Sequence, residues 1–362
     1  MCYEMKTIKN SLKKILLEAR SSCTLDYRTK SGRTIFELLF EVLTRAEIRP
    51  LVIDIGARNG MQLLPASYTS NARLIGFEPN TNELEKLVQS ETDAERSGEQ
   101  VRKFLVEEYF RYAIWSESGK RSFFITQGPG ACTLMGESRR EVTENMFLDY
   151  PDHRRQMSFY ELHSKVVKEV EVDCRRLDDL VPEDTIVDFL KIDVEGAELH
   201  CLKGAQNLLA KNNVLFIYTE FVAFEYYDMH CLFGDIHKYL ADHGFRLLHV
   251  DLGHSDYCRH PIELPAYADR RLLHAGDAYF CLDPDRNALS SLSRTRLALV
   301  SFAFGFNSLA ISLLRDSLLF PREVIGEMVC RLAKGTWLKR LLYYWEVAPR
   351  NTFRFIYKLT SK

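Results

Sequence analysis

Between positions 191 and 198 the chain reads Lys-Ile-Asp-Val-Glu-Gly-Ala-Glu, closing an apolar run that starts at Phe189. In an extended strand, Lys191, Asp193 and Glu195 share one face. Carboxylates grouped in this way can orient a hydroxyl and take its proton as it reacts. They could also bind a divalent metal that lowers the pKa of a bound oxygen. Lys191 would tune a carboxylate or hold a substrate, and Gly196 allows a tight turn into a following helix. Glu198 has a plainer use, as an acid at that helix's N-terminus. Glu220 ends the next apolar run, Val214–Thr219, as a second site carboxylate or as an acid bonded at a loop start.

A second constellation lies upstream. Leu51 to Gly60 reads LVIDIGARNG, and Leu74 to Asn80 reads LIGFEPN. This is the pattern of a buried strand, a glycine turn, and a second strand ending in an acid. Glycines bring the backbone close to a ligand, and the acid accepts hydrogen bonds from ribose hydroxyls. A dinucleotide site requires G-x-G-x-x-G with a bare middle position. Here that position is Arg58, whose side chain would crowd a pyrophosphate, and no G-K-[ST] follows for a phosphate loop. S-adenosylmethionine carries a ribose and an adenine but no phosphate, so it fits both features. Glu78 is placed for the ribose and the Gly56–Gly60 turn for the methionine end.

The elements that must position these residues alternate strand and helix, which implies a parallel sheet covered on both faces. Strands are expected at Leu51–Ile55, Arg73–Phe77, Glu108–Ile114, Ile186–Ile192, Val214–Thr219, Arg246–Val250 and Ala278–Leu282. Helices are expected at Thr34–Thr44, Asn82–Gln89, Leu199–Ala210 and Phe233–His243. Ser122–Thr126 and Lys168–Cys174 read as antiparallel additions. Residues 128–167 form a long polar and aromatic insertion with a charged helix at Ser138–Asp149, a composition suited to a lid or a substrate-binding element. Ligands of such sheets bind beyond the carboxyl ends of the strands, so Gly56, Glu78, Asp193 and Glu220 should converge on one crevice.

The length of 362 residues allows two to three domains, or one domain with extensions. A formal net charge of -2 gives no global pull toward nucleic acid. The nine cysteines form no CxxC pair and are odd in number, which points to reduced thiols and a cytoplasmic location. Lys6 to Arg20 lacks the continuous apolar stretch of a signal peptide. It reads as an amphipathic helix packed on its own protein, or resting on an anionic membrane. Leu297 to Leu314 is too short and too polar to span a bilayer. Gly305-Phe306-Asn307-Ser308 reads there as the turn of a helical hairpin. His249, Asp251, His254, Asp256, Cys258 and His260 are metal-ligand types in one loop, but their spacing matches no zinc pattern. They are expected to form a polar surface loop. The end of the chain is basic and aromatic, from Lys339 through Trp345 to Lys358.

Taken in order, VIDIGARNG (52–60), GFEPN (76–80), YAIWSESGKRSFFI (112–125), ACTL (131–134), VDCRRLDDL (172–180), FLKIDVEGAELHCLKGA (189–205) and VLFIYTE (214–220) resemble the FkbM-type S-adenosylmethionine-dependent methyltransferases. Cys132 departs from the small or serine residue of that pattern. The resemblance covers residues 49 to 282. It implies a class I methyltransferase fold of the Rossmann-like kind, a seven-stranded doubly wound α/β sheet whose last strand is antiparallel. It also implies O-methylation of a hydroxyl on a sugar, glycan or secondary metabolite. N-methylation and a catalytically inactive cofactor-binding scaffold are the alternatives.

The expected division is an N-terminal helical segment (1–48), a methyltransferase domain (49–283) and a C-terminal helical extension (284–362). The residues expected to contact the cofactor are Asp54, Gly56, Ala57, Asn59, Gly60, Glu78, Asn80 and Ala113. The expected catalytic residues are Asp193, Glu195, Lys191 and Glu220, with Mg2+ as a second use of the same carboxylates and no metal ligands assigned. The expected partner is a small-molecule or glycan hydroxyl acceptor, without nucleic acid or a transmembrane span. Peripheral membrane contact and a homo-oligomer are compatible with the sequence.

Overall fold

A computed structural model describes residues 35–143, 147–148, 160–228, 231–252, 257–258, 273, 275–317 and 319–333. The expectations for Lys6–Arg20, for the loop at His254, Asp256 and His260, and for the basic aromatic end lie outside these residues.

Twelve strands are described. They are β1 (Leu51–Ile55), β2 (Arg73–Phe77), β3 (Val106–Phe110), β4 (Ala113–Ile114), β5 (Gly119–Thr126), β6 (Phe147–Leu148), β7 (Val166–Arg175), β8 (Phe189–Ile192), β9 (Phe216–Val222), β10 (Phe245–Asp251), β11 (Tyr257–Cys258) and β12 (Ala275–Leu282). Seven form one sheet in the order β10-β12-β9-β8-β1-β2-β3. β12 runs antiparallel to both its neighbours, and the other pairings are parallel. This is the seven-stranded class I methyltransferase sheet with its last strand reversed. β1 shows why its sequence reads as an unbroken apolar run: all five residues are buried, because helices cover both faces.

Several expectations change. Glu108–Ile114 is not one strand. β3 ends at Phe110 on the edge of the large sheet, and Ala113–Ile114 crosses into a separate sheet of order β4-β7-β5. β5 and β7 are antiparallel to each other but belong to this second sheet and are not added to the first. Helix Leu199–Ala210 breaks into Glu198–Gly204 and Gln206–Ala210. At this junction the chain packs closely, since a Cβ on Gly204 would lie 2.2 Å from the Trp115 carbonyl oxygen. In the expected helix Ser138–Asp149, only Arg140–Thr143 is helical, and Phe147–Leu148 pairs with β11 instead. His249 and Asp251 lie in β10, not in a loop.

The helical hairpin is present as Ser291–Ala303 and Asn307–Ser317. No helix among the described residues is long and apolar enough to cross a membrane. Leu297, Leu299 and Leu313 of the hairpin share one hydrophobic cluster with Leu39 of helix Ile35–Arg45 and with the strands β1, β8 and β9. A bidentate ion pair fastens the first hairpin helix to the sheet. Arg296 donates from Nε to Asp188 Oδ1 at 2.8 Å and from Nη2 to Asp188 Oδ2 at 2.6 Å. Asp188 also accepts from the Leu51 N–H at 2.7 Å, so this buried charge has its remaining demand met.

Candidate functional site

The carboxyl ends of β1, β2, β8 and β9 open on a cleft of about 390 Å³. Of the residues expected at the site, Gly56, Asn59, Gly60, Glu78, Asn80, Ala113, Lys191, Asp193, Glu195 and Glu220 all line it. Asp54 and Ala57 do not line it. Both are fully buried beneath its floor, where Asp54 meets Lys191 and the Ala57 N–H bonds the Phe77 carbonyl at 3.0 Å.

Gly56 shows why this turn needs glycine. Its φ is +80°, and a Cβ there would sit 1.9 Å from the Asp193 carbonyl oxygen. The end of β1 therefore touches the end of β8 backbone to backbone, which joins the glycine turn to the acidic turn. The Gly56 N–H bonds the Phe77 carbonyl at 3.1 Å, tying the same turn to the end of β2.

Glu78 follows β2 and is 5% exposed. It accepts the Asn80 N–H at 2.8 Å. Burial raises its pKa to about 7, further than that backbone bond can lower it. Its nearness to neutrality makes any ribose contact through its carboxylate sensitive to pH. Asn80 lines the cleft and also caps helix Thr81–Gln89, its side chain accepting from the Asn82 N–H at 3.1 Å.

On the opposite side, Lys191 is buried among acceptors. Its Nζ lies 3.0 Å from Asp54 Oδ1, 3.2 Å from the Gly56 carbonyl and 3.3 Å from Asp193 Oδ2. Burial works against its charge, but Asp193 and Asp54 outweigh that and hold the ammonium above the ordinary lysine pKa. Asp193 is thereby fixed as an ion-pair partner at the mouth of β8.

Glu195 stands in the left-handed region with φ +56°, an uncommon conformation for a residue with a side chain. Two contacts hold it there. The Thr133 hydroxyl donates to the Glu195 carbonyl at 2.8 Å. The Glu198 carboxylate accepts from the Val194 and Gly196 N–H groups at 3.2 and 3.1 Å. Glu198 is 1% exposed, so it braces the turn from inside. Desolvation, followed by the charges of Asp193 and Glu198, pushes Glu195 well above the usual carboxylate range.

Glu220 does not end its strand, as the sequence had suggested. β9 continues to Val222 because Val222 pairs with Ala275 of the reversed strand β12. Desolvation, then Glu195 and Asp193, raise its carboxyl strongly. Carboxylate oxygens of Asp193, Glu195 and Glu220 lie within 4.8 Å of one another, a spacing a divalent cation could bridge. The Lys191 ammonium already places a cation against Asp193.

Some wall residues were missed in the sequence. Tyr218 and Asp277 line the same end as Glu220 and hydrogen-bond each other. The period of two in β9 carries the signal, since residues 218 and 220 share a face. Thr133 and Cys132 reach the wall from the insertion, with Pro129 and Gly130 beside them. Thr133 is 1% exposed and accepts the Met135 N–H at 3.0 Å while donating to Glu195. No local sequence signal marks that contact.

The arrangement combines a buried acid beside a glycine turn with a group of three carboxyl groups across the cleft. It can hold a nucleoside on one side and take a proton from a hydroxyl on the other. Residues 54–247, more than half of the chain, match the Methyltransferase FkbM domain. No curated protein matches the chain. Among solved structures, magnesium protoporphyrin IX methyltransferase from Synechocystis PCC 6803, with bound SAM, is similar at 10% identity and a TM-score of 0.29, over 68% of this chain and 77% of that one. A TehB-like SAM-dependent methyltransferase from Corynebacterium glutamicum is similar at 10% identity and a TM-score of 0.26, over 77% of this chain and 100% of that one. Likeness at this level carries no inference about ligand or activity. The family match, together with the order of its strands, assigns the protein: the chain belongs to the FkbM methyltransferase family.

Proposed function

We propose that the protein transfers a methyl group from S-adenosylmethionine to a hydroxyl oxygen of a saccharide, glycan or secondary-metabolite acceptor. The observation that carries this reading is the juxtaposition across one cleft of Glu78 with the Asp193–Glu195–Glu220 group. Glu78 accepts hydrogen bonds from the ribose hydroxyls, and the Gly56–Gly60 turn receives the methionine end. Asn80 and Ala113 flank the nucleoside.

When bound, the cofactor would supply a methyl already activated on a sulfonium. The protein's main task is alignment of the acceptor oxygen with that methyl. Glu195 takes the hydroxyl proton, since desolvation and the neighbouring charges of Asp193 and Glu198 raise its affinity for a proton. Asp193, fixed by Lys191, orients the hydroxyl, and Glu220 with Tyr218 and Asp277 lines the acceptor end. Residues 49–283 form the catalytic domain in this reading. The hairpin Ser291–Ala303 and Asn307–Ser317 braces it through the shared hydrophobic cluster.

The test compares glycan and metabolite pools incubated with S-adenosylmethionine and either the wild-type protein or Glu195→Gln. A mass gain of one methyl group in the wild-type sample alone supports the reading. An equal gain with Glu195→Gln removes Glu195 from the role of base.

A further inference from the structure

We propose that Arg58 forms an anion subsite in the cleft and holds the α-carboxylate of the bound cofactor. The assignment rests on the S-adenosylmethionine reading above and adds to it the residue that anchors the amino-acid end.

Among the described residues, Arg58 and Lys191 are the two cationic side chains lining the cleft. Lys191 has three N–H donors and three acceptors within reach: Asp54, the Gly56 carbonyl and Asp193. It has no donor left for a ligand.

Arg58 is differently placed. Its Nε lies 3.1 Å from Glu83 and its Nη2 lies 2.8 Å from Asp93. Lys86 shares both acids, at 2.7 Å from Glu83 and 3.2 Å from Asp93. The two acids engage Nε and Nη2, so the Arg58 guanidinium is held in position with N–H donors of its five to spare. Its side chain remains 23% exposed. Nη1 points toward Gly130, 3.6 Å from where a Cβ on that residue would lie. The absence of a side chain at 130 leaves the approach open.

The charges of the cleft sort the ligand. The carboxylate is the single anionic group of a cofactor that also carries a sulfonium and an ammonium. Asp193, Glu195 and Glu220 crowd three carboxyl groups on one side, a poor place for a further carboxylate. Arg58 belongs to the Gly56–Gly60 turn and is anchored on Glu83 and Asp93, though its charge also reaches Glu195. A planar guanidinium matches a carboxylate with paired hydrogen bonds, which a point charge cannot do. The residue that crowds out a pyrophosphate is therefore the one that accepts a single carboxylate.

The test needs no acceptor. Calorimetry measures the Kd of S-adenosylhomocysteine and of 5′-methylthioadenosine, which has the same nucleoside and thioether but no amino-acid group. Arg58→Met should weaken S-adenosylhomocysteine by roughly 10- to 100-fold, the loss of a charge-assisted pair, and leave 5′-methylthioadenosine unchanged. Arg58→Lys should show a smaller loss, again confined to S-adenosylhomocysteine. Retained 5′-methylthioadenosine affinity shows that a variant is folded, and Arg58→Lys carries the test if Arg58→Met does not fold. Equal weakening of both ligands would mean that Arg58 only steadies Glu83 and Asp93, and would overturn the assignment. So would unchanged S-adenosylhomocysteine affinity, or a wild-type protein that binds the two ligands equally. A wild-type protein that binds neither removes the cofactor reading itself, and the subsite with it.

Discussion

Replacing Lys191 with methionine should test how far the cleft depends on one buried ion pair. Lys191 is 8% exposed and Asp54 is fully buried. Asp54 Oδ2 already lacks a hydrogen-bond partner, so Lys191 is the main compensation for that carboxylate. Breaking a buried pair by removing one partner costs about 3–5 kcal/mol, because the other charge is left without compensation. At roughly 2–4 °C per kcal/mol for a chain of this size class, Lys191→Met should melt about 6–20 °C below wild type.

Removing both charges in Asp54→Asn/Lys191→Met should restore most of that loss, since a buried pair replaced as a whole is often close to neutral. The pH dependence provides a second check. Burial already raises the Asp54 pKa, with Lys191 opposing that rise. Without Lys191 it rises further. A raised carboxyl contributes stability that is full below its unfolded pKa and is lost as pH climbs through the folded value. The deficit of Lys191→Met relative to wild type should therefore be smallest in acid and grow toward neutral pH. Scanning calorimetry with urea melts at several pH values measures both effects. A single variant as stable as wild type, or a deficit that does not change with pH, would refute the reasoning.

Three further outcomes are expected. Glu78→Ala should weaken S-adenosylhomocysteine binding by about 1–3 kcal/mol through lost charge-assisted hydrogen bonds; in wild type the affinity should rise as pH increases through about 7, where Glu78 ionises, and calorimetry that shows neither effect removes its ribose role. Gly56→Ala would place a Cβ 1.9 Å from the Asp193 carbonyl, so circular dichroism should show a strongly destabilised fold, and a normal melting curve would contradict the close approach. Glu195→Gln should leave S-adenosylhomocysteine affinity intact but slow methyl transfer by roughly 10²- to 10⁴-fold, the usual scale of general base catalysis, as read in single-turnover assays.

The legible parts of the sequence were those where burial and local spacing agree. β1 and β2 are found at the expected residues because each is a compact apolar run bounded by turn residues. The acids at the strand ends could be placed in one crevice from topology alone. What was hidden depends on partners far away in sequence. Lys191 meets Asp54 across 137 positions, through the pairing of β8 with β1. The split at Arg111 and Tyr112 follows from a second sheet that competes for Ala113 and Ile114. The apolar run pauses at Glu220 and so reads as a strand end, while β12 supplies the pairing that carries the strand onward. The left-handed backbone of Glu195 is held by Thr133 from 62 positions away, and no local pattern encodes it.

Transfer of a methyl group from S-adenosylmethionine to an oxygen in this cleft is read out with S-adenosylmethionine labelled with carbon-13 in the methyl group, followed by NMR of the purified product. A labelled methyl ether is expected, with the methyl carbon correlated to a carbon that bore a hydroxyl group. A labelled methyl on nitrogen would contradict the oxygen assignment. Tight S-adenosylhomocysteine binding with no label transferred to any hydroxylated acceptor would contradict catalysis itself and leave a cofactor-binding scaffold.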